Sequence, residues 1–352
     1  MSKAIVTFGE IMGRLAAPEY LRLRQTRDFE VTYAGAEASV AVSICNFGGS
    51  ARYVTALPKH ALADATVDSV RAMGVCTEHI LRTDAGRLGL YFLETGANQR
   101  PSNVIYDRAD SAIAITPAEL YDWDAIFDGA QWLHLSGITP ALSKNAANAT
   151  LVAAKIAKSA GLQVSIDLNF RGKLWNWDTS KRPRELAQET MRTILPFVDL
   201  LGIQAGHTNV HAGSLDTSRY PDVARQVVKQ FPNISKVAIT LRESLSASHN
   251  NWGAMLFVAA SDKPYFAPLD GDGNYQAYQI RNIVDRVGGG DAFAGGLIFA
   301  LTTPQLSDPQ TAVRYAVAAS CLKHSIKADF NYSTRGEVES LMGGSASGRV
   351  VR

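Results

Sequence analysis

One ten-residue stretch stands out in this chain: Val287-Gly288-Gly289-Gly290-Asp291-Ala292-Phe293-Ala294-Gly295-Gly296. The four-residue spacing of Phe293, Leu297 and Leu301 predicts a buried helix that follows a glycine loop. Unpaired N–H groups and the positive end of the helix dipole make such a junction an anion site. Asp291 would repel bound phosphate unless it accepts a proton from a hydroxyl while the loop stabilises a phosphoryl group in transfer. The alternative interpretation is a helix N-cap without catalytic chemistry.

The composition of the 352 residues is typical of a folded protein with a large core, since 46% are hydrophobic and 19% are charged. This length allows two domains or one large α/β domain. A net charge of +2 gives no reason to expect nucleic acid or an anionic membrane as a partner. The first apolar run is too short for a signal peptide, and no later run approaches the length of a membrane span.

The three cysteines, Cys45, Cys76 and Cys321, are few and widely spaced. This usage indicates free thiols in a reducing environment, so we expect a cytoplasmic protein. No Cys/His spacing suggests a zinc site.

Strand and helix patterns alternate along most of the chain, which is typical of an α/β protein with a parallel sheet. The pattern predicts strands over 4–10, 52–57, 131–136, 164–168, 200–201 and 236–241, several further β segments within 252–284, and helices over 35–44, 61–73, 146–160, 184–194, 220–231 and 311–324. Residues 12–33 have no clear periodicity and are expected to be irregular.

The alternation is interrupted between residues 77 and 112. Two strand-like runs, 88–94 and 103–108, predict a hairpin or small sheet added to the core, a candidate lid. On an extended strand Tyr106 and Arg108 point to the same side, which suits an anionic, hydroxylated ligand. An ordinary strand edge that carries a charge is the alternative.

The segment 164–171 begins as a buried strand and becomes polar at its end, where Asp167, Asn169 and Arg171 alternate. Ligands of open α/β sheets bind beyond the carboxyl ends of the strands, so these side chains are site candidates.

The sequence motifs of several other ligand and catalytic sites are absent. Gly172-Lys173 is followed by Leu174 rather than by Ser or Thr, so there is no P-loop. The dinucleotide fingerprint fails because Phe293 stands in its last glycine position, and no Gly-x-Ser-x-Gly elbow is present.

Nearly the whole chain resembles the ribokinase-like (phosphofructokinase-B) family of carbohydrate kinases, and most of all its 2-keto-3-deoxygluconate kinase branch. The segment 285–291, Asp-Arg-Val-Gly-Gly-Gly-Asp, is similar to the family's C-terminal signature. The remaining matching segments are 8–12, 34–38, 89–92, 100–108, 167–175 and 240–244. The resemblance implies a three-layer αβα fold with a mostly parallel central sheet. It also implies a kinase domain over 1–340, with a small β lid from about 12–33 and 88–112, and a mobile tail over 341–352.

The resemblance also implies roles for individual residues. Asp291 would be the base for a primary sugar hydroxyl, and Gly288, Gly289 and Gly290 would form the anion hole. The implied substrate contacts are Gly35, Ala36, Glu37, Ala38, Ser39, Tyr91, Tyr106, Arg108, Arg171 and Asp329. The implied nucleotide contacts are Thr240, Arg242, Ser244, Gly288, Gly290, Arg171 and His324. The arginines Arg108 and Arg171 would meet the carboxylate of an acid sugar.

The implied reaction is ATP-dependent phosphorylation of 2-keto-3-deoxygluconate or a close acidic sugar, with Mg²⁺ as cofactor and a homodimer formed through the lid. Three departures from the family pattern stand out. Ala34 replaces a glycine, Ser39 replaces an asparagine, and the segment 202–207, Gly-Ile-Gln-Ala-Gly-His, replaces an Asn-x-x-Glu motif that helps to organise magnesium. Two alternatives are therefore kept: a kinase for a neutral sugar such as fructose, and a non-catalytic regulator that binds sugar or nucleotide.

Overall fold

The structure is a computed structural model that describes residues 3–204 and 217–344. Strands and helices are numbered separately along the chain. The strands are β1 Ala4–Phe8, β2 Met12–Ala16, β3 Glu30–Ala34, β4 Ala51–Val54, β5 Ala56–Pro58, β6 Leu81–Thr83, β7 Gly89–Glu94, β8 Asn103–Asp107, β9 Ala130–Ser136, β10 Gln163–Asp167, β11 Leu200–Gln204, β12 Lys236–Ser246, β13 His249–Val258, β14 Lys263–Ala267 and β15 Tyr278–Arg281. The α-helices are α1 Ala36–Asn46, α2 Ala61–Arg71, α3 Ala112–Ile115, α4 Trp123–Phe127, α5 Lys144–Ser159, α6 Pro183–Ile194, α7 Tyr220–Gln230, α8 Gly289–Leu301, α9 Pro309–Lys323 and α10 Arg335–Met342.

A nine-stranded sheet forms the centre of the molecule, in the order β14-β13-β12-β11-β10-β9-β1-β4, with β15 also paired to β13. All pairings from β12 to β4 are parallel, whereas those among β12, β13, β14 and β15 are antiparallel. The carboxyl ends of the parallel strands therefore share one edge, where ligand sites of such sheets form.

Helices cover both faces of this sheet. One apolar cluster joins the strands to α1, α2, α8 and α9, and the other joins them to α4, α5, α6 and α7. Alternate strand residues divide between the two clusters: Ile5 belongs to the first, and Val6 and Phe8 belong to the second. The architecture confirms the three-layer αβα prediction with its mostly parallel sheet.

A second, four-stranded sheet has the order β3-β2-β7-β8. It packs on the main body through a small cluster that includes Met12, Ala34, Tyr91 and Val287. The expectation that residues 12–33 are irregular was wrong at both ends, because β2 and β3 lie there. These strands are only five residues long, too short for alternation to be recognised in the sequence.

Several boundaries differ from the sequence expectations. The strand expected over 52–57 is divided into β4 and β5, and β12 continues to Ser246 as one arm of a hairpin. The helix α10 extends to Met342, so the segment assigned to the tail begins within a helix, and its residues 345–352 lie outside the described residues. In the ranges the structure covers, no helix is both long and apolar enough to cross a lipid bilayer.

Candidate active site

A cleft of about 290 Å³ lies at the carboxyl ends of the parallel strands, between the main body and the smaller sheet. Most of the site residues expected from the sequence line it. These are Gly35, Ala36, Glu37, Tyr91, Tyr106, Arg108, Arg171, Thr240, Arg242, Gly288, Gly289, Gly290, Asp291, His324 and Asp329. Ala38, Ser39 and Ser244 do not line it.

The glycine loop forms the N-terminus of α8. Gly288 is the N-cap and has φ +82°, a left-handed conformation that glycine adopts without a steric penalty. A Cβ atom at Gly288 would overlap the carbonyl oxygen of Asp329, whereas one at Gly290 would be 3.5 Å from Gln204 Nε2, an ordinary contact distance. The first N–H groups of α8 have no partner within the helix, so they can bind an anion in the cleft.

Asp291 stands in the first turn of α8. Its side chain makes no hydrogen bond or ion pair to any residue that the structure describes. Burial away from water raises the pKa of Asp291 well above its usual value, and the negative charge of Asp167 raises it further. A carboxyl group with a raised pKa and no protein partner is suited to accept a proton near neutral pH.

Tyr106 lies on β8 and Arg108 directly follows this strand; both line the cleft, and the Arg108 guanidinium carbon is 5.3 Å from the centre of the Tyr106 ring. However, Arg108 is not exposed as expected. It is 93% buried because its Nη2 donates to Glu10 Oε2 in a buried ion pair. Arg108 Nε and Glu10 Oε1 are both enclosed and have no partner in the described part of the chain.

A second buried charge network lies where the cleft borders the smaller sheet. Arg14 donates to Asp285 and to Asp329, each at 2.5 Å, and the Tyr91 hydroxyl donates to Asp329 at 2.9 Å. Burial raises the pKa of Asp329, and the charge of Arg14 opposes this shift. Asp329 therefore lines the cleft as a carboxylate that is already held by Arg14 and Tyr91.

The N-terminus of α1 forms the adjoining wall. A Cβ at Gly35 would overlap the backbone of Glu10, so the absence of a side chain at Gly35 allows these two backbone segments to lie close together. The Glu37 carboxylate accepts hydrogen bonds from Ser136 at 2.7 Å and Thr139 at 3.0 Å. Burial raises the pKa of Glu37.

Two neighbours on α1 do not reach the cleft. Ala38 and Ser39 are buried in the core because they lie on the side of the helix that faces away from the cleft.

Three further arginines line the cleft: Arg171, Arg242 and Arg286. None of them forms an ion pair within the described ranges. The positive charges of Arg286 and Arg171 add to the effect of desolvation in lowering the pKa of Arg242. A group of three positive charges outside close ion pairs suits a phosphate-rich ligand.

Only two of the three nucleotide contacts expected on β12 reach the cleft. Thr240 and Arg242 line the cleft, but Ser244 pairs with Asn250 in the β12–β13 hairpin. At about 3.4 Å per residue, Ser244 is roughly 14 Å along the strand from Thr240 and so passes the edge of the cleft.

His324 follows the end of α9 and lines the cleft beside Gly289. Its Nδ1 lies 2.7 Å from the Ser320 carbonyl oxygen, and its ring is 5.0 Å from that of Trp252. Burial lowers the pKa of His324 to about 4. The neutral ring and the tryptophan form an apolar wall next to the arginine cluster.

No role was expected from the sequence for Glu10, Arg14, Asp285 and Arg286; of these, Glu10 and Arg286 line the cleft, and Arg14 and Asp285 form an ion pair next to Asp329. A weak signal existed for the first two, since Glu10 and Arg14 are charges inside an otherwise apolar run. The expected alternation of 167, 169 and 171 on one strand face was wrong, because β10 ends at Asp167 and Asn169 has a positive φ.

The substituted Asn-x-x-Glu segment is only partly described. Gln204 donates from Nε2 to Asp167 at 3.2 Å, whereas residues 205–207 lie outside the described residues. In the described ranges, no three His, Cys, Asp or Glu side chains are grouped around a common point as metal ligands would be.

The cleft at the strand ends thus contains an aspartate without a described partner at a glycine-rich helix N-terminus and three arginines outside any described ion pair, features that suit phosphoryl transfer. Residues 2–327 match the profile of the pfkB family carbohydrate kinases. The chain therefore belongs to that family and is a carbohydrate kinase, which confirms the resemblance drawn from the sequence.

Individual relatives agree with this assignment. The chain is 31% identical over 348 residues to 2-dehydro-3-deoxygalactonokinase of Haloferax volcanii, an alignment that covers 99% of each protein. It is 28% identical to 2-dehydro-3-deoxygluconokinase of Bacillus subtilis, over 83% of this chain and 81% of that protein. Among solved structures, 2-dehydro-3-deoxygluconokinase from Thermotoga maritima is 42% identical, with a TM-score of 0.87 over 97% of this chain and 100% of that one.

Proposed function

We propose that this carbohydrate kinase transfers the γ-phosphoryl group of ATP to the primary hydroxyl of 2-keto-3-deoxygluconate or a close acidic sugar. The observation that carries the proposal is the position of Asp291. It is an unpartnered carboxylate with a raised pKa, at the N-terminus of α8 and in a cleft with uncompensated arginines.

In the proposed reaction, Asp291 takes the proton of the sugar hydroxyl as its oxygen bonds to the γ-phosphorus. The bond from phosphorus to the bridging oxygen breaks, and ADP leaves with that oxygen. The N–H groups of Gly289, Gly290 and Asp291 stabilise the charge on the phosphoryl oxygens. A general base contributes about 10²–10⁴ in rate, and most of the remaining acceleration comes from positioning and electrostatics.

ATP is the donor that family membership supports. Arg171, Arg242 and Arg286 would neutralise the phosphates of ATP. The adenine ring would lie beside His324 and Trp252. Mg²⁺, once bound, would neutralise phosphate charge during the transfer. Asp167 is the carboxylate that we assign to the water shell of the metal, since it lies at the same strand end and is close enough to Asp291 to affect its charge.

An acidic substrate is favoured over a neutral one by two observations. The relatives described above that cover most of this chain are named for 2-keto-3-deoxy acid sugars. The cleft also offers guanidinium groups on the sugar side, at Arg108 and Arg171, and a carboxylate binds well to such groups. Glu10 Oε1, an acceptor without a described partner, would take a sugar hydroxyl next to Arg108.

A panel of sugars tests the substrate assignment. ATP consumption should be measured by a coupled assay with 2-keto-3-deoxygluconate, 2-keto-3-deoxygalactonate, fructose and ribose, with and without Mg²⁺. We expect kcat/KM for at least one acid sugar to exceed that for the neutral sugars by 10²-fold or more, since a site built for a charged group rejects an analogue that lacks it. A preference for fructose or ribose would replace the proposal with the neutral-sugar alternative. Binding without turnover of any sugar would support the regulator alternative.

Arg171→Ala separates carboxylate recognition from general damage. We expect KM for the acid sugar to rise by about tenfold or more, because a charged hydrogen bond is lost, while KM for a poor neutral sugar changes little. An equal change for both would contradict carboxylate recognition by this arginine.

The proposal extends to a cytoplasmic homodimer formed through the smaller sheet. The register aligns Val31, Leu15, Phe92 and Ile105 in one row across the four strands, and Val31 and Ile105 are at least half exposed. An apolar row on an open sheet face suits self-association. Light scattering should give a dimer mass for the wild type and a monomer mass for Ile105→Lys; a monomeric wild type would contradict this part of the proposal.

A further inference from the structure

Lys323 is a buried charged residue to which the mechanism above gives no task. It is the last residue of α9 and has an exposed fraction of 0%, although lysine is rarely buried completely. Its Nζ donates to the carbonyl oxygen of Ile326 at 3.0 Å, and it forms no ion pair with any residue that the structure describes. Because removing an ammonium group from water is costly, its burial here needs a compensating interaction.

The side chain of Lys323 packs against the glycine loop at the N-terminus of α8. A Cβ atom at Gly288 would be 3.1 Å from Lys323 Cε, and Lys323 itself does not line the cleft. Its neighbours on α9 contact the next loop residue. Ser320 Oγ donates to the Gly289 carbonyl oxygen at 2.6 Å, and a Cβ at Gly289 would be 2.9 Å from the His324 ring. The end of α9 therefore supports the backbone that would bind phosphate.

The charges around Lys323 balance only when its ammonium group is counted. Asp285 and Asp329 are both buried and share Arg14 as their ion-pair partner, which leaves one negative charge in excess. Burial lowers the pKa of Lys323, but both carboxylates oppose this shift and favour the charged form. Without Lys323, a net negative charge would remain next to the loop and would repel phosphate.

The same group of charges is connected to the loop and to the base. Asp285 accepts from the Val287 N–H at 3.0 Å on one oxygen and from the Ala328 N–H at 3.1 Å on the other. The charges of Lys323 and Asp291 also interact, so each favours the ionised form of the other. Lys323 is thus coupled both to the position of the loop and to the charge of the proposed base.

We propose that Lys323 is a positioning residue of this kinase. Its ammonium group offsets the excess charge of Asp285 and Asp329 and holds the loop at Gly288 in the conformation that presents N–H groups to phosphate. Lys323 touches neither the sugar nor ATP, and it exchanges no proton. A fixed charge needs no reorganisation when charge develops on the phosphoryl group, so it lowers the barrier. The inference rests on the proposed phosphoryl transfer at this loop but not on the identity of the sugar.

Lys323→Met is the informative variant, because methionine is of similar length and removes the charge. Lys158→Met is the matched control: Lys158 lies in the last turn of α5, outside the cleft, and is paired with Asp199 at 2.8 Å. Kinetics should be measured with whichever sugar gives the highest kcat/KM in the panel. We expect Lys323→Met to have a kcat about tenfold or more below that of Lys158→Met, with KM for the sugar within about threefold, since the charge acts on the transition state.

The pH profile separates this role from a merely structural one. Loss of the positive charge of Lys323 should raise the pKa of Asp291 further, so the acid limb of kcat/KM should move to higher pH. A lysine that only stabilised the end of α9 would leave the limb in place. A folded Lys323→Met protein with a kcat within about twofold of Lys158→Met, or with the acid limb of the wild type, would overturn the inference.

Lys323→Ala with added amine gives a second measurement, which also covers the case in which Lys323→Met does not fold. Ethylammonium chloride supplies the missing charge, ethanol is the neutral compound of similar size, and tetramethylammonium chloride controls for ionic strength. We expect ethylammonium alone to raise both the melting temperature and kcat. No gain, or an equal gain with ethanol, would contradict the role of the charge. A fully active Asp291→Asn protein would refute the proposed base, whereas the kcat comparison of the two lysine variants would still test Lys323.

Discussion

The Gly288→Ala substitution gives a prediction whose size follows from the geometry of the anion loop. Gly288 has φ +82°, and an added Cβ would overlap the Asp329 carbonyl oxygen. A left-handed conformation costs an alanine about 1–2 kcal/mol, and the overlap forces the loop away from Asp329 at a similar further cost. We therefore expect a loss of about 2–4 kcal/mol in the free energy of unfolding, together with a loss of kcat because the loop no longer presents its N–H groups to phosphate.

The neighbouring Gly290→Ala separates the two effects. An added Cβ there would be 3.5 Å from its nearest neighbour, Gln204 Nε2, so the fold can accept the methyl group. Gly336→Ala, in an exposed turn of α10 with nothing within 4 Å, is the control for helix propensity alone and should gain up to about 1 kcal/mol. Gly290→Ala should be as stable as the wild type within about 1 kcal/mol yet lose about 10² in kcat, since the methyl group occupies the space of the phosphoryl oxygens.

Urea unfolding followed by circular dichroism and steady-state kinetics on the three variants form the assay. We expect Gly288→Ala to lose both stability and activity, Gly290→Ala to lose activity alone, and Gly336→Ala to lose neither. A Gly288→Ala protein as stable as the wild type would refute the steric argument. A fully active Gly290→Ala protein would refute the assignment of phosphate to this loop.

Two further predictions concern charge. Arg14→Met leaves Asp285 and Asp329 without their buried partner and should cost about 3–5 kcal/mol. Without Arg14 the pKa of Asp329 rises further, so ionising this carboxyl group destabilises the folded variant. The loss in the free energy of unfolding, measured with urea, should therefore grow between pH 5 and pH 8. A loss below about 1 kcal/mol at pH 8 would contradict this prediction. Asp167→Asn removes the charge that, after burial, most raises the pKa of Asp291. The acid limb of kcat/KM should therefore move to lower pH, and an unmoved limb would count against Asp291 as the titrating base.

The central parts of the fold and site were accessible from the sequence because they depend on local patterns. Three glycines before Asp291 and an apolar helix are a local signature, and they lie where expected at the start of α8. The alternating strands and helices are likewise set by short-range periodicity. The paired Tyr106 and Arg108 followed from the two-residue repeat of a strand.

The remaining parts depend on contacts between distant segments. Arg108 pairs with Glu10 from 98 positions away, and Arg14 reaches Asp329 across 315 positions. Such partners are chosen by the folded topology, so nothing in the local sequence predicted that Arg108 would be buried. Asn169 was expected on a strand that continues to Arg171, but the strand ends at Asp167 and Asn169 has a positive φ, which the local sequence pattern does not show.

Asp291→Asn tests the central claim most directly. The amide is nearly the same size as the carboxylate and cannot accept the hydroxyl proton as a base. We expect kcat to fall by about 10²–10⁴, while the dissociation constants of ATP and of the preferred sugar, measured by calorimetry, stay within threefold of the wild type. Turnover within twofold of the wild type would contradict the assignment of Asp291 as the base on which the proposed mechanism depends.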